Sequence, residues 1–276
     1  MKKPEIIKKF SEFSDLKDWS INTKKSYISI VENFVYLKHP DSINNLTKEY
    51  LKSFIINFKK ENSPSYYNKM GFVLKNLYEC LGQKFKMNWF VSVQINKNFI
   101  DVLTIKEIES ILNKITNKKH RVIILILIST GIRISELLSI KISDINSIKM
   151  RILIRNGKGN KDRFVKLHPY LLNELREYWI IYRPGSYLLQ GQFKDKYSAT
   201  SVRNIIKNNS KHLNKRIYPH LFRHSAITYL VDKNEQQNKI QLFAGHKNPK
   251  STAWYYNLSE KALQNMNNPL DEIVIN

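Results

Sequence analysis

In the first 90 positions of the chain, apolar residues recur every three or four places, which puts them on one face of an α-helix. Asn22 or Thr23, and then Thr47, suit the N-caps of two such helices. A Ser-Pro-Ser break precedes a third helix, which Gly82 ends. The pattern predicts a small helical domain over residues 1–90. Its inward positions are Tyr27, Val31, Phe34 and Val35 in the first helix, Leu51, Phe54, Ile55 and Phe58 in the second, and Met70, Leu74, Leu77 and Leu81 in the third.

A second domain is expected over residues 102–276. Residues 91–101 show no sustained period, and we interpret them as a linker that is extended and partly packed. Thr104 and Glu107 have the spacing of a capping box before an amphipathic helix. The apolar run 122–128 then predicts a buried helix.

The hydrophobic period changes to two between Lys149 and Leu167, on both sides of the turn NGKGNKD. This alternation around a glycine-rich turn predicts a β-hairpin. Further helices are expected over 169–182, over 201–213 and from Pro219 onward. The fold class is therefore mainly α with a small β-sheet, and the second domain is mixed α/β. In the helix 169–182 the expected inward residues are Leu171, Leu172, Leu175 and Trp179.

The helix that starts at Pro219 carries the most informative polar residues. His220 and Arg223 stand three positions apart, so they project from one helix face. His246 follows Arg223 after 23 residues, and Tyr255 follows His246 after nine. A bidentate cation, two imidazoles and a phenol together indicate chemistry on a phosphate. Taken singly, each residue also fits a capping or water-binding role.

A zinc site is the competing interpretation of this helix. His220 and His224 are four residues apart, the spacing of a zinc-binding pair. The segment lacks the Glu of an HExxH motif, and the single cysteine, Cys80, lies far upstream. We therefore expect neither a metal nor another cofactor.

Two further cations are candidates for the same site. Arg133 stands two residues after Gly131, at a junction between two apolar helices, where a cation needs an anionic partner. That partner is either Glu136, in a structural ion pair, or a bound phosphate. Lys158 lies near the hairpin tip, where it either enters the site or is a solvated turn lysine. The surrounding GKGNK does not have the pattern of a phosphate-binding Walker A loop.

The charge of the chain points to its partner. Lys and Arg number 46 against 23 Asp and Glu, a net charge of +23. This excess favours a polyanion, with nucleic acid the first candidate, although an AT-rich genome also raises the lysine count. The lone cysteine cannot form an internal disulfide, and the start has no apolar core of signal-peptide length. We expect a cytoplasmic protein without a membrane partner, because the longest apolar run is far too short to span a bilayer.

Five segments, taken together and in this order, resemble the tyrosine recombinases of the phage integrase family, in particular its compact, Xer-like members. They are TGIRISELLSI, GKGNKDRFVKL, HLFRH, AGHKNPKSTAWYY and NPLDEI. The resemblance covers the whole chain and implies a SAM-like helical core-binding domain followed by a catalytic domain. It implies cleavage and rejoining of double-stranded DNA through a 3′-phosphotyrosyl link, without metal or nucleotide, in a tetramer on DNA. The implied catalytic residues are Arg133, Lys158, His220, Arg223, His246 and the nucleophile Tyr255.

Physical chemistry gives these residues distinct roles. A phenol of pKa about 10 is a weak nucleophile at neutral pH unless cations favour its phenolate. Arg133 and Arg223 suit the non-bridging oxygens, and His246 suits a further hydrogen bond. His220 is expected to assist deprotonation of Tyr255, and Lys158 to protonate the departing 5′-oxygen.

Several alternatives stay open at this point. A type IB topoisomerase uses similar residue types, and a DNA-binding protein can keep the fold without turnover. The family commonly has Leu before the Gly-His and Thr after the tyrosine, where this chain has Ala244 and Tyr256. Tyr256 is itself a second candidate nucleophile. The apolar tail 259–276 is too small to fold alone, so it is expected to pack either on a neighbouring protomer or on the protomer to which it belongs.

Overall fold

The computed structural model describes residues 2–37, 39, 41–95, 101–155, 162–191, 196–246 and 248–256. The chain divides into two compact units, Met1–Asn98 and Phe99–Asn276. The division falls within the predicted linker 91–101. Of that segment, Val93 is held by two hydrogen bonds to the Asn68 side chain, both 2.8 Å long.

In its described residues, the first unit contains four α-helices around one apolar core. Thr47 caps the third helix as predicted, and Gly82 follows the fourth with a φ of +74°. The predicted cap at Asn22 or Thr23 is wrong, because the Ser20 hydroxyl accepts the hydrogen bond from the Thr23 amide. The helices are α1 (Lys3–Leu16), α2 (Ile21–Tyr36), α3 (Lys48–Glu61) and α4 (Pro64–Cys80).

Helix α1 is absent from the sequence prediction. Its apolar stripe is narrow, since only Ile6, Phe10 and the small Ser14 are buried along a lysine-rich segment. Helix α4 also begins earlier than predicted. The Ser-Pro-Ser segment is its start rather than a break, because Ser63 caps the helix and Pro64 occupies the first turn, where its missing N–H costs nothing.

The second unit packs eight helices and one sheet around its own core, within the described residues. The Thr104–Glu107 capping box and the buried helix that Gly131 ends are confirmed. Helix α6 packs against both α8 and α10. The helices are α5 (Ile105–Asn113), α6 (Lys118–Thr130), α7 (Ile134–Leu137), α8 (Pro169–Tyr182), α9 (Ala199–Asn209), α10 (Pro219–Asp232), α11 (Gln237–Ala244) and α12 (Lys250–Tyr256).

The sheet confirms the predicted hairpin and adds one short strand. Strands β1 (Ile145–Asn146), β2 (Arg151–Ile154) and β3 (Arg163–Lys166) are antiparallel in the order β1-β2-β3. Ile152 pairs with Val165, and both face the core. The hairpin tip, with Lys158, lies outside the described residues.

Two details of the predicted helices are wrong. Trp179 of α8 is 44% exposed, and its neighbour Tyr178 is buried instead, with its hydroxyl donating to the Leu188 carbonyl. A phenol fits this position because its hydroxyl has a partner inside the core. Helix α9 starts at Ala199 rather than Ser201, since Ser198 provides the cap.

No helix in the described part of the chain is long and apolar enough to cross a membrane.

Gly131 gives a first testable prediction. Its φ is +57°, and a Cβ there would lie 2.6 Å from the ring of Phe243. We expect Gly131→Ala to lower the unfolding free energy of the second unit by about 2–4 kcal/mol, through left-handed strain and overpacking. In a Phe243→Ala background the same change should cost only the backbone strain, about 1 kcal/mol. Urea unfolding of the four proteins measures this difference, and equal costs in both backgrounds would contradict the predicted clash.

Candidate active site

Arg223 is the centre of the candidate site. Helix α10 starts at Pro219 and brings Arg223 into the protein interior, where the residue is 3% exposed. Its Nη1 donates to the Gly131 carbonyl at 2.6 Å, and its Nη2 donates to the Ala244 carbonyl at 2.5 Å. These carbonyls lie at the C-terminal ends of α6 and α11, the negative ends of the helix dipoles. The buried cation therefore joins three helices and keeps three of its five N–H donors for a further group.

Arg133 lies at the start of α7, directly after the end of α6. Its backbone N–H donates to Glu136 Oε2 at 2.8 Å, and its Nη1 donates to Glu136 Oε1 at 2.9 Å. The structural pairing with Glu136 that the sequence left open is thus present. This pairing holds the Arg133 backbone and one side of its guanidinium group, and it does not use the other guanidinium donors.

Arg163 of β3 completes this ion pair and was missed from the sequence. Its two terminal nitrogens donate to the two oxygens of Glu136 at 2.9 and 3.0 Å. The glycine at 245 makes room for it, since a Cβ there would lie 2.9 Å from Arg163 Nε. In the sheet, Arg163 pairs with Ile154 and lies on the same face as the buried Val165. Because side chains alternate along a strand, the sequence pattern around Val165 could have indicated a cation on the inner face.

Glu136 is a buried carboxylate between two arginines. Its side chain is 4% exposed. Burial alone raises the pKa, but hydrogen bonds from Arg163 and from the Arg133 backbone outweigh this and lower the pKa of Glu136 to about 2. The carboxylate is therefore charged at neutral pH and holds both arginines in place.

Tyr255 of α12 faces the arginines and the histidines. It is 4% exposed, and its hydroxyl lies 2.6 Å from Nδ1 of His224. Its ring stacks on that of His246 at a centroid distance of 6.3 Å and an interplanar angle of 18°. Tyr256 points elsewhere, since its hydroxyl donates to the Glu235 carbonyl at 2.9 Å. The two adjacent tyrosines therefore have separate environments.

His224 is the second residue that sequence reasoning missed. His220 was expected beside the tyrosine hydroxyl, but the hydrogen-bond partner of Tyr255 is His224. The ring of His220 packs edge-on against His224 at 5.6 Å instead. The spacing of four between these histidines is typical of a zinc-binding pair. It also places His224 one turn further along the helix face, next to α12.

His246 follows Gly245, whose φ of +61° ends α11. Its Nδ1 lies 2.9 Å from the hydroxyl of the fully buried Thr252 on α12. The Gln241 backbone carbonyl accepts a hydrogen bond from the His246 backbone N–H, and the Gln241 side-chain N–H donates to the His246 carbonyl. His246 and Tyr255 are thus held on one short, cross-linked segment.

Burial and charge set the protonation of the site. Burial raises the pKa of Tyr255 to about 12, although Arg223 and Arg133 act in the opposite direction. Burial and the neighbouring His220 and Arg223 lower the pKa of His224 to about 4, and burial with Arg223 and Arg133 lowers that of His220. Burial lowers the pKa of Arg223 to about 10, so this side chain stays protonated at neutral pH.

The second unit thus brings five of the six predicted residues together. Lys158, the sixth, is outside the described residues. Within the described ranges, no group of three or more His, Cys, Asp or Glu side chains has the arrangement of a metal site. The buried guanidinium of Arg223 and the partly exposed one of Arg133, whose side chain is 22% exposed, share this site with a protonated phenol and neutral imidazoles. Such a set of groups is suited to binding an anion close to a nucleophile.

The second unit resembles a known protein family in sequence. Residues 101–262 match the sequence model of the phage integrase family. The tyrosine recombinase XerA of Pyrococcus horikoshii is 28% identical over 265 residues, which are 94% of this chain and 91% of that protein.

Solved structures share the fold. The integrase of transposon Tn1549, in complex with a circular intermediate DNA, has a TM-score of 0.74 at 18% identity and covers 91% of this chain and 94% of its own. A lambda integrase dimer bound to a COC′ core site has a TM-score of 0.74 at 14% identity, covering 90% of this chain and 96% of its own. The family match spans more than half of the 276 residues, so the chain belongs to the phage integrase family.

Proposed function

We propose that this chain is a site-specific DNA recombinase that cleaves and rejoins duplex DNA through a transient bond between Tyr255 and a 3′-phosphate. The observation that carries the proposal is the buried Tyr255 hydroxyl next to the cationic centre of Arg223 and Arg133. The membership in the phage integrase family supports the same activity.

The geometry supports the following division of labour. The free donors of Arg133 and Arg223 bind the non-bridging oxygens of the scissile phosphate and stabilise the charge of the transition state. Because Arg223 is shielded from water, its interaction with the phosphate is stronger than that of a surface cation. His220 and His246 complete the surroundings of the phosphate.

The covalent step then balances without an energy source. The Tyr255 oxygen gives up its proton to a base of the site and bonds to phosphorus. The bond from phosphorus to the 5′-oxygen breaks, and Lys158 supplies a proton to that oxygen. A phosphodiester is exchanged for a phosphotyrosine, so a 5′-hydroxyl of the partner strand can reverse the reaction and rejoin the DNA. No nucleotide hydrolysis is required.

The first unit, with residues 1–90 as its core-binding domain, is proposed to hold the DNA backbone together with the second. The net charge of +23 supports this partner. Lys24 is paired with Asp15 at 2.5 Å, so part of its charge is already neutralised within the protein. Lys52 lies over the ring of Trp89 and Lys59 over that of Tyr67, so both are positioned by aromatic contacts. We place this activity in the cytoplasm, where the free thiol of Cys80 is stable.

A nicked suicide substrate tests the proposal. The 5′-hydroxyl leaves on a short fragment that diffuses away, so the covalent intermediate accumulates and is visible on a denaturing gel. We expect a covalent adduct, and recombinant product from DNA with two sites. Binding without an adduct would indicate a catalytically inactive DNA-binding protein. A covalent adduct together with relaxation of supercoiled DNA, but without recombinant product, would indicate a type IB topoisomerase.

Lys158 gives a second prediction. If Lys158 is the general acid, Lys158→Ala should slow cleavage of a normal substrate by about 100-fold or more. A substrate with sulfur at the 5′-bridging position should restore most of the rate, because the thiolate leaves without a proton. Single-turnover rates on both substrates measure this, with Lys149→Ala as the control at the other end of the hairpin. Equal defects on both substrates would exclude the role.

The assembly is proposed to be a tetramer on two DNA duplexes, in which the tail 259–276 binds a neighbouring protomer. The second unit has an apolar groove of about 640 Å³ that is lined by α5, α6 and α10, with Leu103, Ile128 and Phe243 among its residues. Truncation after Leu258 should leave DNA affinity nearly unchanged and reduce synapsis of two sites. Native gels of two-site DNA compare the proteins, and an unchanged tetramer would show that the tail is not needed.

A further inference from the structure

The hydroxyl of Tyr255 needs a place for its proton that bulk water does not provide. The residue is 4% exposed, and its Oη atom lies 2.6 Å from Nδ1 of His224. A phenol that attacks phosphorus must lose its proton during the step. In so buried a position the acceptor has to be a protein group within hydrogen-bond distance.

The neighbouring bases differ in their availability. Glu136 is occupied by Arg133 and by both terminal nitrogens of Arg163. His246 stacks face to face on the tyrosine ring, and its Nδ1 is engaged with Thr252. Among the described residues, only His224 has a ring nitrogen within hydrogen-bond distance of Tyr255 Oη, at 2.6 Å.

We propose that His224 is a catalytic residue of this chain, the base that receives the proton of Tyr255. The proton moves from Tyr255 Oη to His224 Nδ1 as the oxygen bonds to phosphorus and the bond to the 5′-oxygen breaks. In the rejoining step the tyrosine oxygen leaves phosphorus and takes the proton back from His224. The proposal rests on the proposed function and replaces the role first expected of His220.

The surroundings of His224 suit this exchange. In the tautomer that this transfer requires, the neutral ring carries its own hydrogen on Nε2 and accepts the hydrogen bond of the phenol at Nδ1. The ring is fixed between His220, at 5.6 Å, and the rings of Trp254 and Tyr255, at 6.2 and 5.6 Å. Burial, together with His220 and Arg223 on the same helix, lowers the pKa of His224 and keeps the ring neutral until the proton arrives. The negative phosphate of bound DNA then stabilises the imidazolium that forms.

Two variants separate proton transfer from positioning. His224→Asn places an amide oxygen close to where Nδ1 lies, so it keeps a hydrogen-bond acceptor for the tyrosine but cannot take a proton at neutral pH. His224→Phe keeps the ring and removes the acceptor. Circular dichroism and the midpoint of urea unfolding show whether each variant is folded, and fluorescence anisotropy shows whether it binds DNA. If the Phe variant does not fold, the Asn variant decides the question alone.

Adduct formation on the suicide substrate is measured for both variants and wild type between about pH 6 and pH 9. We expect both variants to be about 100-fold slower than wild type near pH 7. As the pH rises, the ratio of the wild-type rate to the variant rate should shrink by up to about tenfold for each pH unit. The reason is that only the variants depend on spontaneous ionisation of the phenol.

Two results would overturn the proposal. A wild-type rate for His224→Asn would show that the hydrogen bond is enough, and a ratio that stays constant with pH would show an indirect effect. Absence of any adduct with the wild-type protein would instead refute the proposed function itself.

Discussion

Tyr255→Phe should form no covalent adduct with DNA, whereas Tyr256→Phe should form it at close to the wild-type rate. The hydroxyl of Tyr255 contacts His224 inside the cationic centre, and that of Tyr256 donates to the Glu235 carbonyl outside it. On a helix, adjacent side chains point about 100° apart, so only one of the two can reach the phosphate. The suicide substrate and a denaturing gel give the measurement.

The two variants control for each other, because each loses one hydroxyl and keeps its ring. Both should bind duplex DNA with unchanged affinity, since neither change alters charge. An adduct that survives in Tyr255→Phe and disappears in Tyr256→Phe would show that the nucleophile is the neighbouring residue.

Glu136→Ala should lower the unfolding free energy of the second unit by about 3–5 kcal/mol, because it leaves the buried guanidinium of Arg163 without its anion. The exposed pair of Lys118 and Glu177, at 2.5 Å, provides the matched control. Glu177→Ala should cost less than about 1 kcal/mol. The two variants are compared by urea unfolding, with hydrogen exchange of core amides in the second unit as the signal. Equal costs would show that the two arginines find other partners.

The same carboxylate gives the protein a defined acid sensitivity. The folded pKa of Glu136 is lowered from 4.5 to about 2, so its contribution is fully present above the unfolded pKa and is lost as the pH falls toward 2. A shift of this size corresponds to about 3 kcal/mol. The stability difference between wild type and Glu136→Gln should therefore narrow by about this amount between about pH 5 and pH 2. A difference that does not vary with pH would contradict the depressed pKa.

Periodicity predicted most helices because their apolar stripes are wide, as in α6, and because caps such as Thr47 and Thr104 have side chains that satisfy free amides. It failed for α1, whose buried stripe consists of two large apolar residues and one serine. It also failed for Trp179, because which of two adjacent aromatics is buried depends on the Leu188 carbonyl, 10 residues away in the chain.

The site could be predicted as a set of residues but not as a set of contacts. Residue types and spacing pointed to the arginines, histidines and tyrosine, yet they could not tell that His224 rather than His220 meets the phenol. That choice depends on where α12 packs against α10, which is a tertiary property. Arg163 was missed for the same reason, since its partner Glu136 lies 27 residues earlier in the chain.

The two carbonyl contacts of Arg223 also bear on how the protein is made. They close loops of 92 and 21 residues, and the second brings in the segment that leads to the nucleophile. Contacts between residues so far apart in the chain form late, after the helices they join. A nascent or partly unfolded chain can therefore bind DNA through its positive charge but has no assembled cleavage centre. The arginine that we propose to hold the phosphate thus also links assembly of the site to completion of the fold.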